Sequence, residues 1–268
     1  MAFIELKTYS AALHTKTGIN VILPTPLAGE VRESCFGCYN TPRKFPVLYL
    51  LHGTYGDEAD YTRFSRIESY AQEYYVAVVM MSTENGCYRD MPRGGPEYEQ
   101  YVTRELPKMM QWMFPISDRR EENFLCGLSM GGTGAFKLGM KHPELYGHVA
   151  CMSSNFNGWQ DCADNGDTVW SMAFAQGERL KGTGEDMYHL AEQAVKSGVT
   201  LPELYVCVGK EDFLYQSNID FKKHMDTIGM RYVYHEQPGI HNWDFWDDEL
   251  RRILAWLPIE RREGKNWF

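Results

Sequence analysis

Short apolar runs recur along this chain and alternate with stretches whose apolar residues are spaced by three or four positions. Residues 46–51, 75–81 and 147–154 are nearly continuous apolar runs, which is typical of strands covered on both faces. Further strands are predicted at 123–126, 204–209 and 232–236, and helices at 58–73, 98–113, 132–140, 186–197, 214–229 and 246–256. Strands that alternate with helices in this way predict a mostly parallel sheet with right-handed connections.

Two segments depart from this alternation. Residues 3–6 and 19–23 predict two antiparallel strands ahead of the first buried strand. Residues 160–200 contain several glycines and acidic residues between core elements, which indicates a cap-like insertion. The chain has 268 residues, no internal repeat and no Pro-rich linker. We therefore expect one α/β domain over residues 1–268.

A Gly-Leu-Ser-Met-Gly motif surrounds Ser129. The motif follows a predicted strand and precedes a predicted helix, which is the context of a nucleophile elbow. Glycines on both sides of Ser129 would allow a strained backbone and close packing of strand and helix. The N terminus of the helix would point free N–H groups towards the serine oxygen. The alternative is a Gly-rich turn that only links strand to helix.

A nucleophilic Ser129 needs a base, because a serine hydroxyl is a weak nucleophile at neutral pH. In this architecture an acid and then a histidine follow the serine along the chain. Asp212 and His241 each come just after a predicted strand. All three residues would then lie at the carboxyl edge of the sheet, where ligands bind. Glu211 is the competing acid, because it is adjacent to Asp212.

The sequence His-Gly-Thr-Tyr-Gly at residues 52–56 directly follows the first buried strand. An ester hydrolase needs two backbone N–H donors for the oxyanion that develops on the substrate. One is expected from Met130, which follows the nucleophile, and the other from Thr54 in this loop. His52 is interpreted as a residue that holds the loop by hydrogen bonding, with a role as a second base as the alternative.

Several aromatic residues in loops are candidates for substrate contacts. Tyr88 lies in the loop at 82–98, and loops at this edge of a sheet often carry function. Trp159 and Trp170 belong to the predicted insertion, where packing beneath a cap is the competing interpretation. Trp243 follows His241 and is predicted to lie at the pocket, while the aromatic residues that come next are assigned to the core.

Charge and hydropathy exclude some classes of partner. The formal net charge of −9 argues against binding to nucleic acid or to anionic membranes. No stretch approaches the ~18 apolar residues of a membrane span. The first seven residues lack the basic region, apolar core and cleavage site of a signal peptide. The sequence therefore predicts a cytoplasmic protein.

Of the seven cysteines, Cys35 and Cys38 form a C-x-x-C pair. A zinc site would need two more ligands at suitable spacing, and no second pair is present. We expect no metal and no cofactor, although a local metal or a disulfide at this pair stays open.

Taken together, the motifs resemble the esterase D group, which includes carbohydrate esterases of family one (feruloyl and acetyl-xylan esterases) and bacterial tributyrin esterases. The resemblance covers about residues 2–258 and rests on segments 47–53, 85–88, 105–107, 127–132, 209–212 and 239–243. It implies an α/β-hydrolase fold with helices on both faces of the sheet. It also implies a triad of Ser129, Asp212 and His241, with Thr54 and Met130 at the oxyanion positions.

The resemblance implies a serine carboxylester hydrolase for short-chain acyl esters or for feruloyl or acetyl esters of carbohydrates. Formylglutathione hydrolases of this group usually carry a Gly-Leu-Thr-Cys type of oxyanion loop, whereas residues 53–56 contain no cysteine. The antiparallel start looks more like the tributyrin esterase branch. The alternatives are an acyltransferase with the same triad, an S-formylglutathione hydrolase-like thioesterase, and a binding module without activity. The expected partner is a small-molecule or oligosaccharide ester, with a homo-oligomer as a further expectation.

Overall fold

The computed structural model describes residues 1–39, 44–164, 169–170, 173–175, 177–259 and 261. Within these ranges, one sheet contains β1 (Ala2–Ser10), β2 (Thr15–Leu23), β3 (Val47–Leu51), β4 (Ala77–Met81), β5 (Asn123–Leu128), β6 (His148–Met152), β7 (Glu203–Gly209) and β8 (Val233–Gln237). The helices are α1 (Ala28–Glu33), α2 (Asp60–Phe64), α3 (Ile67–Tyr74), α4 (Tyr98–Gln100), α5 (Leu106–Met113), α6 (Met130–Lys141), α7 (Trp159–Asp164), α8 (Met187–Ser197), α9 (Tyr215–Ile228) and α10 (Trp243–Trp256). A π-helical segment, Tyr101–Glu105, joins α4 to α5.

The strands follow the order β1-β2-β4-β3-β5-β6-β7-β8 across the sheet. β2 is antiparallel to both of its neighbours, and all pairs from β4 to β8 are parallel. Leu51, the last residue of β3, is paired with Gly127 near the end of β5. The loops that follow these two strands therefore begin side by side. The observed sheet confirms the predicted parallel core with antiparallel strands at the N terminus.

The sheet is covered on both faces because successive side chains of a strand point in opposite directions. In β3, Val47, Tyr49 and Leu51 join one buried cluster, while Leu48 and Leu50 join a second cluster. Helices α5, α6, α8 and α9 contribute apolar residues to the first cluster, and α3 and α10 contribute to the second. This packing confirms the expected layers of helix on both faces.

Two predicted helices have different bounds in the structure. The helix predicted at 58–73 is divided into α2 and α3, because Ser65 takes an extended conformation with φ −133° and ψ 175°. The helix predicted at 246–256 begins earlier, at Trp243. The side-chain oxygen of Asn242 accepts a hydrogen bond from the Phe245 N–H at 3.2 Å and caps its first turn. Trp243 therefore lies on a helix and not in the preceding loop.

The segment predicted as an insertion contains α7 and α8, and residues 165–168, 171–172 and 176 of it lie outside the described part of the chain. Its role as a cap stays a prediction. Cys35 and Cys38 are both free thiols and do not form a disulfide. The described residues contain no cluster of three or more His, Cys, Asp or Glu side chains suited to a metal ion. Nor does this part of the chain contain a helix long and apolar enough to cross a bilayer.

Candidate active site

Ser129 stands between the end of β5 and the first turn of α6. Its backbone is strained, with φ 54° and ψ −119°, in a region that L-residues rarely adopt. A Cβ on Gly127 would lie 2.1 Å from the Gly131 carbonyl oxygen, and a Cβ on Gly131 would lie 2.3 Å from the Leu51 carbonyl oxygen. Only glycine fits at these two positions. Strand, turn and helix can therefore close tightly around the serine.

His241 lies between Ser129 and Asp212. Its Nε2 is 3.0 Å from Ser129 Oγ, and its Nδ1 is 2.9 and 3.1 Å from the two carboxylate oxygens of Asp212. The rings of Phe213 and Trp246 pack against the imidazole at centroid distances of 4.5 and 4.9 Å. One nitrogen of the imidazole thus contacts the Asp212 carboxylate, and the other contacts the Ser129 hydroxyl.

The Asp212 carboxylate is buried, and burial alone would raise its pKa. Hydrogen bonds from His241, from the Leu214 N–H at 2.8 Å and from Ser153 outweigh burial and hold the pKa of Asp212 below its ordinary value. Asp212 is therefore ionised at neutral pH. This charge keeps a proton on Nδ1 of His241, so that Nε2 is free to accept the proton of Ser129.

Glu211 makes a different contact from its neighbour. Its Oε2 accepts a hydrogen bond from the Gly239 N–H at 2.7 Å, on the exposed side of the loop that leads to His241. Glu211 therefore braces this loop, whereas Asp212 contacts the imidazole itself. The geometry favours Asp212 as the acid, as the sequence analysis preferred.

The predicted oxyanion donors lie beside Ser129. A Cβ on Gly53 would lie 3.4 Å from Ser129 Cβ, so the loop after β3 approaches the serine closely. Thr54 and Met130 both line the same cavity as Ser129. Within the described residues, neither backbone N–H donates to a protein acceptor. Both groups are thus available to an oxygen atom bound next to Ser129.

His52 holds this loop in place. The Thr83 N–H donates to His52 Nε2 at 3.0 Å, so Nε2 carries no proton and Nδ1 donates to the Gly53 carbonyl oxygen at 2.7 Å. The Gly56 N–H donates to the same oxygen at 3.1 Å and closes the turn. Burial lowers the pKa of His52 and favours this neutral form. The structure thus places His52 as a support of the loop, the interpretation preferred from the sequence.

Tyr88 does not line the cavity, and its prediction as a substrate contact is corrected. The side chain is fully buried, and its hydroxyl donates to the His52 carbonyl oxygen at 2.8 Å. The ring packs so closely on α6 that a Cβ on Gly134 would lie 2.4 Å from it. Positive φ angles at Cys87 (50°) and Tyr88 (52°) turn this part of the loop inward. Tyr88 therefore lies between α6 and the loop after β3, and it supports that loop.

A cavity of about 350 Å³ opens at Ser129 and His241. Trp159 and Trp243 line it, as predicted, and so does Trp170 from the segment predicted as an insertion. Trp246, which the sequence analysis assigned to the core, also reaches the cavity. Further lining residues that the sequence analysis did not identify include Tyr55, Asp60 and Phe213. The resulting wall is mostly apolar and rich in aromatic side chains, with few polar groups, as is common for sites that bind small molecules.

The site combines a strained serine, at the turn after a strand, with a histidine and a buried carboxylate. Two free backbone N–H groups lie beside the serine. This arrangement defines the site of a serine hydrolase. A family model described as "Putative esterase" matches residues 10–257, so the chain belongs to this esterase family. This result confirms the resemblance inferred from the motifs.

Individual relatives support the same class. An acetyl esterase from Caldicellulosiruptor saccharolyticus is 29% identical over 265 residues, which cover 96% of this chain and 98% of that protein. The substrate-bound structure of FphF, a fluorophosphonate-binding serine hydrolase from Staphylococcus aureus, is 32% identical with a TM-score of 0.86. The S-formylglutathione hydrolase FrmB from the same organism is 31% identical with a TM-score of 0.84. Each of these two matches covers 96% of this chain and 98% of the other.

A ferulic acid esterase shares the fold at 22% identity, with a TM-score of 0.77 over 96% of this chain and 97% of that chain. Together these findings confirm an α/β-hydrolase fold and show that the chain is a serine carboxylester hydrolase.

Proposed function

We propose that Ser129, His241 and Asp212 are the catalytic triad of this esterase and that hydrolysis proceeds through an acyl-enzyme on Ser129. The observation that carries the proposal is the continuous chain of contacts from Ser129 Oγ through the imidazole to the Asp212 carboxylate, at 3.0 and 2.9 Å. The strained elbow supports it, because a strained backbone is maintained where function requires it.

In the first half of the reaction, His241 Nε2 takes the proton of Ser129 as the serine oxygen attacks the ester carbonyl. Asp212 keeps the imidazole oriented and stabilises its charged form. The imidazolium then returns the proton to the leaving alcohol oxygen as the carbon–oxygen bond breaks. In the second half, His241 removes a proton from water, which attacks the acyl-enzyme and releases the acid. The proton then passes back to Ser129.

The N–H groups of Thr54 and Met130 bind the negative oxygen that forms at each tetrahedral step. They lie at the cavity beside Ser129 and have no protein acceptor among the described residues. Donors held in place before the reaction stabilise the transition state without reorganisation. The loss of one such donor is expected to lower turnover by roughly 10²–10³-fold.

The proposed substrates are acetyl or feruloyl esters of carbohydrates and other short-chain acyl esters. The acetyl esterase relative covers nearly the whole of both chains and supports a small acyl group. Trp159 and Trp243 in the cavity wall suit a sugar ring or an aromatic acyl group, because aromatic faces stack on both. The cytoplasmic location and the homo-oligomer stay predictions from the sequence.

Thioester hydrolysis of the S-formylglutathione type is the second candidate, because FrmB is 31% identical over 96% of this chain. Two features oppose it. The loop at residues 53–56 has no cysteine. Among the described residues that line the cavity there is no Lys or Arg to pair with the carboxylates of glutathione.

A panel of esters tested with wild type and Ser129→Ala distinguishes these functions. The panel contains p-nitrophenyl acetate, p-nitrophenyl butyrate, methyl ferulate, acetylated xylo-oligosaccharide and S-formylglutathione. We expect turnover of acetyl esters, with a loss of roughly 10⁴-fold or more in Ser129→Ala. A variant that folds normally and keeps near-normal turnover would exclude Ser129 as the nucleophile. A wild type that prefers S-formylglutathione over every ester would instead favour the second candidate.

A further inference from the structure

Among the described residues that line the cavity at Ser129, Asp60 carries the one carboxylate outside the triad. Asp60 is the first residue of α2 and lines the same cavity as Ser129, Thr54 and Trp243. No ion pair within 4.0 Å joins Asp60 to a side chain that the structure describes, although the nearby charge of Arg63 favours its ionised form. Among the described residues of the wall, no lysine or arginine offsets its charge. The described part of the wall therefore joins aromatic surfaces to one acidic group.

The contacts of α2 fix where this carboxylate lies. Asp60 Oδ2 would be 2.2 Å from a Cβ on Gly56, so the carboxylate rests against the turn that carries Thr54. The next residue of α2, Tyr61, packs edge-on against Trp243 with a centroid distance of 5.3 Å. Phe64, one turn further on, also contacts Trp243, at 5.4 Å. Asp60 is thus held between the oxyanion loop and the aromatic wall.

A carboxylate in such a place affects which substrates fit. It accepts hydrogen bonds from hydroxyl groups, and it repels a second carboxylate more strongly than a fully exposed group would, because Asp60 is half-buried. We infer that Asp60 is a specificity-determining residue, which makes this site select esters with neutral, hydroxyl-bearing groups over esters that carry a carboxylate. This inference rests on the proposed function and specifies its substrate class. It favours esters of sugars and opposes glutathione thioesters.

The charge state of Asp60 supplies an independent signature. Burial, and the nearby charges of Asp57 and Glu58, raise the pKa of Asp60 to about 6, against the opposing effects of a hydrogen bond to the Asp57 backbone and of the Arg63 charge. Asp60 is therefore mostly ionised at pH 8 and mostly protonated at pH 5. Discrimination against an anionic substrate should weaken as the pH falls through about 6. A residue that only braced the loop at Gly56 would change kcat/KM for all substrates by the same factor. The ratio between neutral and anionic substrates would then show no such dependence on pH.

The test uses pairs of substrates that differ in charge and little in shape. The first pair is 4-acetoxybenzamide and 4-acetoxybenzoate, with the charge on the alcohol part, and the second is p-nitrophenyl succinamate and p-nitrophenyl hemisuccinate, with the charge on the acyl part. In at least one pair, wild type at pH 8 should show a kcat/KM roughly tenfold higher for the neutral member. Asp60→Asn should reduce this ratio to within about threefold of unity, and lowering the pH to 5 should do the same in wild type. The ratio cancels any effect of pH on the triad that both substrates share.

Asp57→Asn is the matched control, because it removes the same charge from an exposed neighbour that does not line the cavity. This variant should keep the wild-type ratio at pH 8. For the hydroxyl contact, Asp60→Ala should lower kcat/KM for acetylated xylo-oligosaccharide by roughly tenfold more than for p-nitrophenyl acetate.

The inference would be overturned if, in both pairs, the ratio of kcat/KM between the neutral and the anionic member were the same in wild type and Asp60→Asn. A loss of kcat/KM in Asp60→Asn by the same factor for every substrate would also overturn it. In either case, Ser129-dependent turnover of p-nitrophenyl acetate would leave the proposed function standing. Absence of that turnover in wild type would reject the proposed function, and this inference with it.

Discussion

Lys137 of α6 is a buried cation whose partner lies in the predicted insertion. Its side chain is 0% exposed, and its Nζ lies 3.0 Å from Glu185 Oε2 and 3.2 Å from the Cys87 carbonyl oxygen. The same Nζ lies 5.0 Å from the centroid of the Trp159 ring, which lines the active-site cavity. One ion pair therefore joins the elbow helix, the insertion and a wall of the site.

The Glu185→Gln variant should lose much more stability than its small change in shape suggests. Breaking a buried ion pair by neutralising one partner typically costs about 3–5 kcal/mol, because the other charge stays buried without compensation. We expect a value near the lower limit, about 3 kcal/mol. The glutamine oxygen can still accept from Lys137, and the charge of Glu99 also favours the lysine cation. At about 2–4 °C per kcal/mol, Tm should fall by roughly 10 °C.

The reciprocal variant, Lys137→Met, should cost less, about 1–2 kcal/mol. It removes the buried charge itself, and the Glu185 side chain that remains is 12% exposed and can be hydrated. The double variant should be more stable than additivity of the two single changes predicts. This asymmetry between the two single variants is the specific signature of a buried cation that needs its partner.

The pH dependence adds a second test. Burial lowers the pKa of Lys137, while Glu185 and Glu99 act against this shift, so the loss of Glu185 should lower the pKa further. Between this lowered pKa and the ordinary lysine pKa of about 10.4, the unfolded chain then binds more protons than the folded chain. Stability therefore rises with pH in this window, and the deficit of Glu185→Gln should be smaller at pH 9.5 than at pH 7.

Urea unfolding of the four proteins, followed by circular dichroism at both pH values, measures these free energies. The reasoning would be refuted if Glu185→Gln lay within about 0.5 kcal/mol of wild type at pH 7, well below the loss expected for a broken buried pair. It would equally be refuted if Lys137→Met were the less stable of the two single variants.

Four further variants test the site and the elbow. Asp212→Asn should lower kcat by roughly 10³–10⁴-fold, because an amide no longer fixes the proton of His241 on Nδ1, while Glu211→Gln should keep most activity in the same ester assay. The Tyr88→Phe variant should lower the free energy of unfolding by about 1–3 kcal/mol, because a buried carbonyl oxygen loses its donor. It should change kcat/KM for all esters by the same factor. An effect on kcat/KM confined to one substrate would restore Tyr88 as a substrate contact. Gly127→Ala should fail to give a folded, active enzyme, because its Cβ would overlap a backbone oxygen at 2.1 Å; a melting temperature equal to that of wild type would show that the elbow can relax.

Local sequence was enough to predict the residues that the structure brings together at the serine. Ser129, Asp212 and His241 each follow the end of a strand, and a parallel sheet gathers such ends along one edge. Apolar runs predicted the strands, because a buried strand must be apolar over its whole length. The sequence analysis preferred Asp212 over Glu211, but the physical reason lies in the fold, since Asp212 contacts the imidazole and Glu211 contacts the Gly239 N–H.

Residues placed by long-range packing were harder to predict. Asp60 reaches the cavity because α2 packs against Trp243, a contact between segments more than 180 positions apart. Nothing near Asp60 in the sequence indicates this contact. Tyr88 was predicted as a substrate contact in a loop at the edge of the sheet, whereas positive φ angles at Cys87 and Tyr88 turn it inward against the loop after β3. The sequence indicates which residues are aromatic or acidic, but tertiary packing decides which of them face the substrate.

Covalent labelling of Ser129 tests the proposed mechanism most directly. Wild type and Ser129→Ala are treated with a fluorophosphonate, and separately with p-nitrophenyl acetate under rapid acid quench, and are then analysed by intact mass and peptide mapping. The account predicts one phosphonyl adduct on the peptide that contains Ser129, a transient acetyl adduct on the same residue, and neither adduct in Ser129→Ala. Hydrolysis of p-nitrophenyl acetate by wild type with no adduct on Ser129, or with an adduct on another residue, would contradict it.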